Sequence, residues 1–107
     1  MIVKEKARPL KPRSCPSLVN FADKFIFVIA GCNPFDHREY LDSVDVYSIK
    51  TDSWAVAPAL NTPRMSHSSC VLKDTIYTFC GTNFDQGDLA SIERLNVGDV
   101  SLDNNQY

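Results

Sequence analysis

The chain has 107 residues, 44% hydrophobic and 22% charged, with a formal net charge of −2. That composition excludes a disordered or collagen-like chain and specifies a globular one with a modest core. Residues 1–13 hold five basic residues and one acidic one, broken by prolines, which reads as a solvated arm; the acidic remainder has no basic stripe for a nucleic-acid backbone.

The elements are predicted to be β throughout. Residues 17–22 (SLVNFA) and 25–30 (FIFVIA) read as two strands joined at Asp23-Lys24. The second is almost wholly apolar, so both faces are expected to be buried. Gly31 to Pro34 ends it, and a polar loop runs through Asp36, His37 and Arg38. Residues 43–49 (SVDVYSI) alternate as a third strand, and 53–57 (SWAVA) form a fourth, closed by Pro58. The order then recurs: strand 67–72, a turn at Lys73-Asp74, strand 75–80, a loop through Asn83, Asp85 and Gly87, and strand 90–97. Gly98-Asp99 is expected to turn into a last short strand at Val100–Leu102.

The recurrence is a sequence repeat. Arg13 falls on Arg64 at an offset of 51, IFVIAGCN on IYTFCGTN at 50, and SVDVYSIKTDSW on SIERLNVGDVSL at 48. Such a period signals stacked units that bury their apolar faces against one another. Each unit reads as a four-stranded antiparallel meander.

The units resemble the kelch repeat, the blade of a kelch-type β-propeller. In the first unit the resemblance rests on Arg13, the strand Ile26 to Ile29, Gly31, Tyr47, Trp54 and Pro58. In the second it rests on Arg64, His67, Ile76, Tyr77 and Gly81. The spacing of Tyr47 to Trp54 across Thr51-Asp52 is the most specific signal, followed by Pro63 to Ser68. The first glycine of each expected pair is replaced, by Ala30 and Cys80, and Leu95 and Leu102 stand where the second unit's tyrosine and tryptophan would be. The resemblance implies an all-β fold of about two blades in an incomplete ring. Residues 1–12 form the tail of a preceding blade or an arm, 13–63 the first repeat and 64–107 a second, degenerate one. The indole of Trp54 is expected to fill the wedge between neighbouring blades. Two blades do not close a ring, since propellers use four to eight. The chain is therefore a piece of a longer propeller, a unit that completes a ring with copies of itself, or a small sandwich.

The four cysteines, Cys15, Cys32, Cys70 and Cys80, form no C-x-x-C pair, which removes zinc-ribbon and thioredoxin-type motifs. No apolar signal region or membrane-length stretch is visible. The expectation is a soluble intracellular, cytoplasmic chain with reduced thiols and no membrane contact.

Catalytic constellations are weak. Cys32, His37, His67 and Cys70 supply a zinc-compatible inventory, yet His67 and Cys70 fall at positions that the repeat explains. Ser66, His67, Ser68 and Asp74 lack a G-x-S-x-G elbow. The carboxylates Asp36 with Glu39, and Asp85 with Asp88, lie in loops without an apolar pocket to separate their pKa values. No catalytic, cofactor or metal site is predicted. The resemblance instead implies a protein-interaction module, a scaffold or substrate-recognition piece that binds another protein or peptide. The alternatives are a fragment of an oxidase- or epimerase-type propeller enzyme, or a truncated chain without independent function. The partner-facing residues it implies are Asn33, Arg64, Ser66, Thr82 and Asn83, with Cys32 and Met65 alongside. Arg64 serves equally well as a brace of its own blade. Phe35, Tyr40 and Phe84 read as contact anchors or, for a propeller fragment, more readily as cover for a blade edge.

Overall fold

The structure is a computed structural model that describes residues 3–102. Residues 1, 2 and 103–107, the ends of the predicted arm and second unit, lie outside the described residues, as does the side chain of the candidate ligand His37.

Among the described residues, nine strands and one short 3-10 turn follow in chain order. The first sheet is β1 (Ser17–Phe21), β2 (Phe25–Asn33), β3 (Asp36–Ser48) and β4 (Ser53–Ala57), an antiparallel meander in sequence order. Its β1–β2 hairpin turns on Ala22 and Asp23, both at φ 56°, with Lys24 N–H donating to the Phe21 carbonyl at 3.0 Å. Two successive left-handed residues give the turn whose twist matches the flanking strands. The second sheet is β5 (Ser68–Leu72), β6 (Thr75–Phe79) and β9 (Ile92–Asn96), with β7 (Thr82–Asn83) and β8 (Gly87–Asp88) pairing as a separate ladder.

Two expectations are corrected. The polar loop after Gly31 is not a loop: β2 and β3 stay paired through bulges at Ile29/Gly31 and Cys32/Asn33, so the hairpin runs on to a tight tip at Pro34-Phe35. An extra residue in a bulge bends a strand without ending its pairing, which polar composition does not reveal. The last strand of the second unit does not form. Val97–Asp99 make a 3-10 turn, and Val97, Val100 and Leu102 are buried in the common core. Leu102 borders the same small void as Phe25, Val46 and Ala55 of the first sheet. Three apolar side chains gain more from that burial than from lying on an exposed edge.

The core lies between the two sheets. Val19, Phe21, Phe27, Ile29, Val44 and Val46 from one face of the first sheet meet Ile76 of the second, with Leu95 packed against the cluster. At the inner strands Ser17 Oγ and Ser69 Oγ share a hydrogen bond of 2.6 Å, and Ser69 Oγ shares one of 2.8 Å with Thr78 Oγ1. Backbone stitches complete the junction: Gly31 N–H donates to the Arg64 carbonyl at 2.9 Å, and Leu60 N–H to the Asp42 carbonyl at 2.8 Å.

Candidate partner-binding loop face

Each unit is organised around one buried arginine. Arg13 Nη1 donates to the carbonyls of Ala30 and Ser43, and its Nη2 to Ser43 Oγ and to Asp45 Oδ2 at 2.8 Å. Arg64 repeats the pattern on the carbonyls of Cys80 and Ser91, on Ser91 Oγ, and on Glu93 Oε2 at 2.8 Å. A planar guanidinium with five fixed donors can tie two strands and a carboxylate in this way; an ammonium cannot. The Glu93 carboxylate also accepts the N–H groups of Asn61 and Thr62, which fastens the linker between the units.

The glycine positions follow from the same geometry. Gly31 (φ 99°) and Gly81 (φ 91°) press against the strand entry of their own unit. A Cβ there would sit 2.5 Å from the Ser14 carbonyl oxygen and 2.6 Å from that of Met65. The preceding residues, Ala30 and Cys80, are held at φ 57° and 58°, in the left-handed region that favours glycine.

Residues 12–61 match the family model of the Kelch motif. Residues 12–61 carry the kelch motif. The match spans Arg13, the bulged β2, Tyr47, Trp54 and Pro58, the residues that hold the first sheet together, and the second sheet reproduces its arginine brace. No curated protein matches the chain.

Within this kelch framework the expected site residues separate into two groups. Arg64 is 0% exposed, and its guanidinium is bonded within its own unit to Cys80, Ser91 and Glu93. Met65 and Thr82 pair through both backbone groups at 3.0 Å, and Ser66 lies exposed beside them at φ 54°. Cys32 is buried, and burial, with the neighbouring Cys15 adding to it, pushes its thiol up and away from the reactive thiolate. Asn33 and Asn83 shape their own loops. Asn33 Oδ1 accepts the Phe35 N–H at 2.9 Å while its Nδ2 donates to Glu39. Buried Asn83 accepts the Gln86 N–H at 2.7 Å and donates to the Pro63 carbonyl.

Those two asparagines hold up a pair of phenyl rings. Phe35 is 85% exposed at the tip of the β2–β3 hairpin, and Phe84 is 67% exposed at the tip of the β7–β8 hairpin. Neither covers a blade edge, which corrects the expectation from sequence. The hairpins meet where the Arg38 guanidinium lies over the Phe84 ring, 5.8 Å from its centroid. Between them runs a groove of about 470 Å³ lined by Arg38, Glu39, Tyr40, Pro63, Asn83, Phe84, Asp85 and Gln86. Glu39 joins it to a smaller groove beside Phe35, bordered by Lys11 and Pro12.

Trp54 is also placed differently from the expectation. It lies half-buried on the outer face of the first sheet, not in the wedge between sheets, with its ring 5.1 Å from that of Tyr47. Its Nε1 donates to the Ala7 carbonyl at 3.0 Å, and Asp52 Oδ1 accepts both the Ala7 N–H at 2.9 Å and the Tyr47 hydroxyl at 2.6 Å. The Tyr47 bond holds the Asp52 carboxyl below its usual range and raises the Tyr47 phenol. The arm is therefore clasped at Ala7 by both of its backbone groups. Among the described residues no three His, Cys, Asp or Glu side chains converge as a metal site, and no helix is long and apolar enough to cross a membrane.

Proposed function

We propose that this chain is a non-catalytic kelch-type interaction module that binds a partner polypeptide on the loop face between the β2–β3 and β7–β8 hairpins. Phe35 and Phe84 are its anchors. The observation that carries the reading is the exposure of two large aromatic rings on hairpins whose bases are locked by Asn33 and Asn83. Rigid, exposed aromatics on a framed groove supply most of the contact energy of protein interfaces at low entropic cost. Tyr40, Pro63 and the carboxylates Glu39 and Asp85 then select among partners. Asn33, Thr82 and Asn83 serve as positioning residues of this face.

The reading is tested by selecting binders from a displayed random-peptide library against the chain, then measuring their affinity for Phe84→Ala and Phe35→Ala. Both rings are exposed, so folding is unaffected. A hot-spot anchor predicts a loss of about 30-fold or more in affinity. Selected peptides that bind both variants as tightly as the parent overturn the loop-face assignment.

A further inference from the structure

We infer that the two outer sheet faces form a second, heterologous junction, and that its occupant is a second copy of this chain. The inference is independent of the loop face and comes from comparing repeat-equivalent positions. Phe21 of the first sheet is 4% exposed at the internal junction, and its equivalent Leu72 in the second is 63% exposed; Val44 is 2% exposed and its equivalent Ile92 is 57%. Buried Phe27 and Ile29 likewise correspond to half-buried Tyr77 and Phe79. Strand register makes these equivalences certain, because Phe21 pairs with Phe25 as Leu72 pairs with Thr75, and Ile29 pairs with Val44 as Phe79 pairs with Ile92.

The complementary face shows the opposite asymmetry. Ile76 and Thr78 are buried against the first sheet, while their equivalents Ile26 and Val28 are only half-buried on its outer face, next to exposed Leu18. Each half of the internal junction thus has a counterpart at the opposite end of the molecule: Leu72, Tyr77, Phe79 and Ile92 keep apolar or aromatic character, Thr75 and Arg94 stand where the first sheet has Phe25 and Val46, and Leu18 and Val28 stand where the second has Ser69 and Thr78. Apolar side chains that line up along an outer sheet face form a contiguous patch of the kind that marks an interaction surface. The outer face of the second sheet is the donor half of the existing junction, and the outer face of the first is its acceptor half. Docking one on the other continues the established interface with the same rotation. A head-to-tail contact of this kind generates a ring when the rotation closes. The arm clasped at Trp54 leaves Leu18 exposed and Ile26 and Val28 half-buried.

The experiment uses the purified 107-residue chain at tens of micromolar, with light scattering during gel filtration and circular dichroism on the same peak. Closed propellers of four to eight blades predict a β-structured species of about two to four chains. Leu72→Glu blocks the donor face and Leu18→Glu the acceptor face, and each variant should run as a folded monomer. Mixed in equal amounts, they retain one intact face each and should give a species of about twice the chain mass of 12.0 kDa. A folded monomeric parent overturns the inference. So does an assembly that survives either substitution, or a mixture that stays monomeric.

Discussion

Arg64 Nη2 and Glu93 Oε2 lie 2.8 Å apart, and Arg13 Nη2 and Asp45 Oδ2 lie at the same 2.8 Å in the preceding unit, with all four side chains nearly or wholly withdrawn from solvent. Removing one partner of such a pair strands a buried charge and its hydrogen-bonding groups. Arg64→Ala should therefore destabilise the fold by about 3–5 kcal/mol. Arg64→Lys keeps the charge but not the fork, and should still lose stability. The exposed Arg8–Glu5 contact at 3.5 Å is the internal control: Arg8→Ala should change stability by less than about 0.5 kcal/mol. Urea unfolding of the three variants against the parent checks all of these, and equal effects of Arg64→Ala and Arg8→Ala would refute the brace.

Much of this architecture is legible in the sequence because it depends on local alternation and on a repeat. The β4 strand at Ser53–Ala57 falls where expected, and β1, β5 and β6 differ from expectation by about one residue. The arginines were visible as repeat markers, yet only coordinates show that Arg64 faces inward onto Ser91 and Glu93, since that depends on a partner 29 residues away. The missing outer strand was not legible. Val100 and Leu102 have strand-like composition, and what decides their fate is the first sheet's face around Phe25 and Val46, which is a tertiary effect. The exposure of Phe35 was hidden for a similar reason, because bulges that prolong a hairpin leave no compositional mark. The Ala7 clasp joins residues 45 and 47 positions apart and had no signal beyond the reading of residues 1–12 as the tail of a preceding blade or an arm.

Gly81 and Cys80 are adjacent, both at positive φ, and should respond to substitution with opposite signs. Gly81→Ala places a Cβ 2.6 Å from the Met65 carbonyl oxygen and 2.9 Å from the His67 Cβ, neither at the end of a flexible chain. The backbone must move, and a loss of at least about 2 kcal/mol is expected. Cys80→Gly relieves a non-glycine residue at φ 58° and removes only an exposed side chain, so stability should be unchanged or rise by up to about 1 kcal/mol. Thermal unfolding of both variants decides it. Destabilisation of several kcal/mol by Cys80→Gly would mean that the left-handed backbone is not the constraint.

Trp54→Ala should cost about 1–2 kcal/mol, well below the value for a fully buried indole, because the ring is only half-covered by Tyr47 and the arm. The same variant should free the arm, since one of the two bonds to Ala7 is lost. Limited proteolysis between Lys4 and Lys11 reports on this directly. Faster cleavage in Trp54→Ala and in Asp52→Ala, at temperatures where both remain folded, is the expected outcome. An unchanged cleavage rate in both variants would show that the clasp does not hold the arm.

His67 couples the junction between sheets to pH. Its imidazole is buried, Nε2 lies 2.9 Å from the Ile29 carbonyl of the first sheet, and Nδ1 is enclosed without a hydrogen-bond partner. A carbonyl only accepts, so Nε2 carries the proton in the neutral ring. Burial pushes the pKa of His67 below its ordinary value, the bond to Ile29 opposes that, and the Arg64 charge adds to the lowering. The folded pKa therefore lies below the unfolded value of about 6.5. As pH falls through that value the unfolded chain takes up a proton that the folded chain resists, so folding loses stability. The contribution of His67 is greatest above pH of about 6.5 and declines below it, until the folded pKa is reached. His67→Gln keeps an N–H donor for the Ile29 carbonyl and removes the titration. Urea midpoints measured across the range from mildly acidic to neutral pH should fall with acidification in the parent and fall less steeply in His67→Gln. Parallel curves for the two proteins would show that His67 does not carry the dependence.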